Sequence, residues 1–165
     1  MKKHMIALDL DGTLLKDDKT ISEYTKHVLL KAKEEGHLLV ISTGRPHRAS
    51  IDYYHELGLD TPMVNFNGAF VHHPKNRNWE PSHNPMPIKT AHRIIDACYE
   101  LRVNNIVAEV KDDVFLDAHD PKFISLMDRL EHETSYVIGN LKQKLSEDPT
   151  SILIYPYEEQ IAELR

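Results

Sequence analysis

The sequence predicts an α/β fold built on a doubly wound parallel sheet, and three observations predict it. Short apolar runs at residues 5–8, 38–41 and 63–66 lack polar alternation and read as strands buried on both faces. Helical patterns lie between them, so the order is strand, helix, strand, helix, strand, which is how parallel strands joined by crossover helices read. Crossovers of this kind are right-handed and stack into a doubly wound sheet. After residue 81 the texture changes to mixed α+β.

Each element has its own signals. The first run ends in acids, and a polar loop at residues 16–20 follows. Ser22 is a good N-cap with Ile21 before it as a hydrophobic staple, Val28, Leu29 and Ala32 line one helical face, and Gly36 stands where a helix-ending glycine belongs. Beyond the second run, residues 42–45 form a loop, and Pro46 suits the first turn of a helix that runs to about Leu57 and stops at Gly58. The third run is broken by Asn67-Gly68. Ligands in such sheets bind beyond the carboxyl ends of the strands. Asp9, Thr43 and Asn67 each follow one of these runs, which puts them on one rim. Residues 73–87 hold Pro74, Pro81, Pro85 and Pro87 with Asn76, Asn78 and Asn84, the composition of a linker or irregular loop. A helix at 89–101, strands at 106–110 and 114–116, a helix at 122–131 and a strand at 152–155 follow. The expected domains are residues 1–81 and 82–165.

The composition narrows the function classes. The chain has 165 residues, 41% hydrophobic and 28% charged, with a net charge of −6. A mildly acidic chain is no general nucleic-acid binder, because phosphate backbones demand clustered cations. No run approaches the ~20 apolar residues of a membrane span, and the first apolar run reaches Asp9 too soon for a signal peptide. Cys98 is the single cysteine, so no intrachain disulfide forms, which suits a reducing cytoplasm. It sits in an apolar helical pattern with Ile94, Ile95 and Leu101 and reads as core filler. The expectation is a cytoplasmic protein with neither nucleic-acid nor membrane partners.

The strongest chemical signal is Asp9-Leu10-Asp11-Gly12-Thr13 after the first strand. Residues i and i+2 at a strand end point the same way, so two carboxylates face one spot. Like charges that close need a shared proton or a cation, and a hard ion such as Mg²⁺ takes oxygen ligands. Gly12 permits a sharp turn, and Thr13 offers a hydroxyl and an amide. A plain Asp-Gly hairpin turn and an exposed acidic turn compete with this reading. An EF-hand loop fails, because its glycine and glutamate positions hold Leu14 and Thr20. The second signal, Ser42-Thr43-Gly44-Arg45-Pro46, places a hydroxyl and free amides at a helix start, where anions bind; a simple N-cap is the alternative. Three further patterns carry less. His72, His73 and His83 match no zinc spacing and read as solvated loop histidines. Trp79 and the tyrosines form no basic-aromatic stripe, and there is no P-loop glycine-lysine motif.

Asp9–Leu15, Ile41–Pro46 as Ile-Ser-Thr-Gly-Arg-Pro, and Asn67-Gly68-Ala69 resemble the haloacid dehalogenase-like hydrolases, and more narrowly the Cof-type phosphatases of subfamily IIB. The resemblance is close over residues 4–72 and extends in layout to the rest. It implies a partial Rossmann-like, doubly wound parallel core with an inserted α+β cap domain. It implies that Asp9 is the nucleophile, forming an aspartyl-phosphate, and that Asp11 is the general acid and base. It implies Mg²⁺ held by the Asp9 carboxylate and the Asp11 backbone carbonyl, and phosphoryl oxygens held by Leu10, Gly12, Thr43 and Gly44, with Arg45 and Asn67 in support. The implied substrate is a small phosphorylated metabolite, a sugar phosphate or similar.

The family's later lysine and its second acidic cluster are not found in residues 1–165; Asp112-Asp113 and Glu147-Asp148 stand in the wrong settings. The expectation is a chain that is a fragment or a truncation, with weak turnover by itself. Two alternatives follow: a non-catalytic remnant that self-associates through an open sheet edge, and a receiver-type phospho-acceptor. Receivers separate the acceptor from its acidic pair along the chain, whereas Asp9 and Asp11 share one motif.

Overall fold

The structure, a computed structural model, describes residues 2–127 and 136–162. It divides into two compact units, Met1–His83 and Asn84–Arg165. No helix among the described residues is long and apolar enough to cross a membrane.

In the first unit β1 (Met5–Leu8) is joined through α1 (Glu23–Glu34) to β2 (Leu38–Ile41), and the two strands pair in parallel from Met5↔Leu38 to Leu8↔Ile41. Helix α1 begins where Ser22 Oγ accepts from the Thr25 amide at 3.1 Å, and it ends at Gly36, whose φ of +88° strains any residue with a Cβ. Its buried residue is Leu29, with Thr25 and Ala32 half-buried on the same stripe, whereas Val28 is 46% exposed. The expected face was thus right at Leu29 and Ala32 and wrong at Val28, which lies about 100° round the helix from its neighbour. Strand β1 also differs from expectation. Among the described residues it pairs with β2 alone, and Met5 is 70% exposed, so it is not covered on both faces.

The helix expected from Pro46 to Leu57 is broken. A 3₁₀ turn, His47–Ala49, precedes α2 (Ile51–Glu56). Ser50 separates them with φ −135°, and its hydroxyl donates to the Pro46 carbonyl at 2.9 Å, which also accepts from the Ala49 amide at 3.2 Å. Gly58, with φ +57°, then stops α2 as expected.

Strand β3 (Met63–Asn65) meets the parallel ladder through one bridge, Ser42↔Val64, and the Thr43 amide donates to the Val64 carbonyl at 3.0 Å. Its full ladder is antiparallel, with β4 (Phe70–His72), which pairs in turn with β5 (Ser82–His83). The Asn67-Gly68 break is therefore the tip of a hairpin rather than the end of the sheet. Phe66 and Asn67 take φ of +51° and +54° there, and Gly68 +97°. The proline-rich stretch holds no strand until Ser82. The core of this unit gathers Leu8, Leu10, Leu39, Ile41, Tyr54 and Met63, with Leu10, Ile41, Tyr54 and Met63 fully buried, each such side chain worth about 1.5–3 kcal/mol of transfer free energy.

The second unit packs α3 (Ile88–Leu101) on a sheet containing β6 (Asn105–Val110), β7 (Asp113–Leu116), β8 (Tyr136–Ile138) and β9 (Ser151–Tyr155), in the order β8-β7-β6-β9. Ala91, Ile95 and Cys98 repeat at helical spacing and meet Ile106 and Ala108 of β6. Helix α4 (Pro121–Met127) lies between β7 and β8; the expected helix continued to 131, and residues 128–131 lie outside the described residues. A short helix, α5 (Leu141–Lys144), and β8 were not anticipated; each is too short for a periodic pattern to show. Cys98 is buried as expected, and burial raises its thiol pKa. Asp112 sits in the two-residue turn of the β6–β7 hairpin, where Val110 pairs with Asp113.

Candidate active site

The site is assembled at the carboxyl ends of β1 and β2. The Ser42 amide donates to the Leu8 carbonyl at 2.8 Å, so the chain leaving β2 runs beside Asp9. The Asp9 loop is a tight coil in which the Leu14 amide reaches the Asp9 carbonyl at 3.2 Å and the Leu15 amide reaches Leu10 O at 2.9 Å. Leu10, Leu14 and Leu15 are buried beneath it, which turns Asp9, Asp11, Gly12 and Thr13 outward. Gly12 allows the coil with φ +72°.

The two acids have different partners. Asp9 Oδ2 accepts from Thr13 Oγ1 at 2.9 Å. The Asp11 carboxylate is gripped by Arg45, whose Nε and Nη2 lie 2.6 and 2.7 Å from its two oxygens, and by Lys19 Nζ at 2.8 Å. The hydrogen bonds from Arg45, then those from Lys19, hold the Asp11 carboxyl well below the usual carboxylate range, and Asp11 in turn raises the Arg45 pKa. Arg45 is itself placed by a bond from Nη1 to the Ala49 carbonyl at 3.1 Å and by the Tyr53 ring 5.5 Å beneath it. The Tyr53 hydroxyl donates to the Lys19 carbonyl at 2.9 Å, tying down the loop that carries Lys19.

The second motif makes the other wall. Thr43 is buried; its hydroxyl accepts from the Arg45 amide at 3.1 Å, and its carbonyl accepts from the Asn67 amide at 3.1 Å. Gly44 lies against the Asn67 side chain, and a Cβ there would meet Asn67 Oδ1 at 3.0 Å. Among the described residues the amides of Leu10 and Gly44 have no backbone acceptor. The structure thus joins Asp11 to Arg45 and Asn67 to both Thr43 and Gly44. Sequence reasoning did not find Lys19, Tyr53, Ser50 or Asn65. Lys19 sits in an unremarkable polar loop, and the others are legible only once distant segments meet. His72, read as a solvated loop residue, instead bonds through Nε2 to Asn65 Oδ1 at 3.0 Å and stacks on Phe70.

The oxygen donors suit a hard cation in part. The Asp9 carboxylate keeps one oxygen outside the Thr13 bond, and the Asp11 backbone carbonyl is not taken by a backbone hydrogen bond among the described residues. These are two donors of the roughly six that Mg²⁺ takes. Among the described residues no group of three or more His, Cys, Asp or Glu side chains is placed to hold a metal ion.

Comparison with known proteins sets this geometry in a family. The family model for haloacid dehalogenase-like hydrolases matches residues 6–165. The chain is 46% identical over 164 residues to the 5-amino-6-(5-phospho-D-ribitylamino)uracil phosphatase YitU of Bacillus subtilis, covering 99% of this chain and 60% of that protein. It is 36% identical over 119 residues to the pyridoxal phosphate phosphatase YbhA of Escherichia coli, covering 72% of this chain and 43% of the relative. The chain therefore spans about three fifths or less of these relatives. A haloacid dehalogenase-like hydrolase from Bacteroides thetaiotaomicron shares the fold with a TM-score of 0.79 at 19% identity, over 99% of this chain and 62% of that one. The chain belongs to the haloacid dehalogenase-like hydrolases.

Proposed function

We propose that the protein carrying this chain is a Mg²⁺-dependent phosphatase of small phosphorylated metabolites, working through an aspartyl-phosphate on Asp9. The observation that carries the reading is the pairing of a strand-end carboxylate, oriented by Thr13, with the amides of Leu10 and Gly44, which have no backbone acceptor among the described residues, and with buried Thr43 on the neighbouring strand end. Asp9 attacks phosphorus, the bond to the substrate oxygen breaks, and Asp11 gives the leaving alcohol its proton. Asp11 then takes a proton from the water that attacks the acyl-phosphate, releasing phosphate and restoring Asp9. The amides of Leu10, Gly12 and Gly44 and the Thr43 hydroxyl would bind the phosphoryl oxygens. The Asp9 carboxylate and the Asp11 carbonyl would hold Mg²⁺, which supplies charge stabilisation on those oxygens when bound. Arg45 has a second part: as a phosphoryl group draws its guanidinium, the grip on Asp11 loosens and the carboxyl becomes able to hold the proton it must transfer. Residues 1–81 supply this half-site in the proposal, and residues 82–165 belong to the cap domain.

The relatives' names supply the substrates to try first, 5-amino-6-(5-phospho-D-ribitylamino)uracil and pyridoxal phosphate. The test is hydrolysis of these and of a generic phosphate ester by the natural gene product, with Mg²⁺ and after chelation. Metal-dependent turnover that falls about 10³-fold or more in Asp9→Asn is expected. Turnover that survives Asp9→Asn sinks the proposal. No finding favours the non-catalytic alternative.

A further inference from the structure

Behind the candidate phosphate loop lies a polar pair, fully buried Asn65 and half-buried His72, whose chemistry dictates how the loop is held. Asn65 ends β3 and is fully buried, and its amide nitrogen lies 2.9 Å from both the Arg45 carbonyl and Ser50 Oγ. Ser50 has one hydroxyl proton, and the carbonyls of Pro46 and His47 lie 2.9 and 3.1 Å from its oxygen. The hydroxyl therefore donates to those carbonyls and accepts from Asn65, which uses both Asn65 amide hydrogens. Asn65 Oδ1 is left facing His72 Nε2 at 3.0 Å, so that nitrogen must carry a proton. The reverse amide orientation would set Oδ1 against the Arg45 carbonyl, acceptor against acceptor. The His72 ring is fixed by stacking on Phe70 at 4.7 Å and 13°, with the His47 ring at 4.7 Å and 77°.

We propose that His72 and Asn65 are positioning residues for phosphate binding: the His72 Nε2–H orients the Asn65 amide, and that amide pins the Arg45 carbonyl. Neither side chain is placed to touch substrate. Their effect runs through residue 45, whose amide donates to Thr43 Oγ1 at 3.1 Å and whose guanidinium grips Asp11. Pinning the carbonyl orients the loop's donors before the anion arrives, so they need not reorganise to bind it. Without the His72 N–H, a buried carboxamide oxygen loses its donor and the amide loses its fixed orientation. The inference rests on the phosphatase reading of the same loop.

The experiment measures inorganic phosphate binding by calorimetry with Mg²⁺ present, and kcat and KM on a generic phosphate ester, using the whole natural gene product. His72→Phe keeps a flat ring and removes the donor; His72→Gln restores an N–H. His72→Phe is expected to weaken phosphate binding and raise KM roughly tenfold, equivalent to about 1.4 kcal/mol, with kcat changed less. His72→Gln is expected to stay within about threefold of wild type. Unchanged phosphate binding in His72→Phe overturns the proposal, and so does an equal loss in both variants. If His72→Phe does not fold, the ¹⁵N spectrum of wild-type His72 decides: a proton on Nε2 is expected, and a neutral ring protonated only on Nδ1 overturns it. A wild-type protein that binds no phosphate defeats the phosphatase reading along with this one. Wild-type binding with unaffected His72 variants defeats the positioning role alone.

Discussion

Replacing Arg45 with methionine tests how the site's charge is balanced. The change removes the 2.6 and 2.7 Å bonds to Asp11, the 3.1 Å bond to the Ala49 carbonyl and the cation above Tyr53. The Asp11 side chain is 46% exposed and that of Arg45 21%, so water screens the pair, which is worth at most about 1 kcal/mol at such exposure. The bond to Ala49 adds about 1 kcal/mol. The expected loss at neutral pH, with metal chelated, is about 1–2 kcal/mol. Its pH dependence has a definite sign. The folded-state pKa of Asp11 is depressed, so its contribution is present above the unfolded value of ~3.9 and is lost as pH falls toward the folded one. The gap between wild type and Arg45→Met should therefore be full at neutral pH and shrink below about pH 4 to the part owed to Ala49. Urea unfolding across that range reads the gap, and the ¹³C resonance of the Asp11 carboxyl reads its titration. The carboxyl should move part of the way back, because Lys19 remains at 2.8 Å. A gap independent of pH, or an Asp11 titration unmoved by the substitution, refutes the reasoning.

Other substitutions probe other parts. Thr13→Val removes the bond that orients Asp9, and kcat on a generic phosphate ester should fall about tenfold with KM little changed; an equal rise in KM would point to binding instead. Ser22→Ala strips the α1 cap and should cost about 1 kcal/mol by urea unfolding. Ile95→Ala opens the core of the second unit and should cost about 2–5 kcal/mol, and Cys98 beside it should react with thiol reagents only after unfolding.

Local chemistry was the most legible part of the fold. Ser22, Gly36 and Gly58 each announce a helix end through a side chain or a positive φ, and each stands where expected. The Ala91–Ile95–Cys98 stripe announces α3 because a helix repeats its buried face every third or fourth residue. Strands β4 and β5 were missed because three- and two-residue strands carry no period, and their identity comes from partners elsewhere in the chain. The break at Ser50 escaped for a related reason: its hydroxyl bonds to the Pro46 carbonyl only when buried against Asn65. In the candidate site, Asp9, Asp11 and Thr43 were singled out because two motifs stand at corresponding strand ends, and Arg45 through the family resemblance. The way Asp11 is neutralised was not, since nothing in residues 16–20 distinguishes Lys19 from any solvated lysine.

The single bridge at Ser42↔Val64 has a further consequence. Between the β1–β2 ladder and the β3–β4–β5 meander, sheet pairing among the described residues is reduced to that bridge, and Thr43 and Arg45 add bonds to Val64, Asn65, Phe66 and Asn67. Residues 42–45 are therefore at once the proposed ligand cradle and the mortar of the unit. Selection for folding alone and selection for chemistry alone would guard the same few positions. A library screened only for soluble expression should find this stretch nearly as intolerant as one screened for turnover, while Asp9, whose carboxylate bonds to Thr13 of its own loop, should vary freely in the first screen and not in the second.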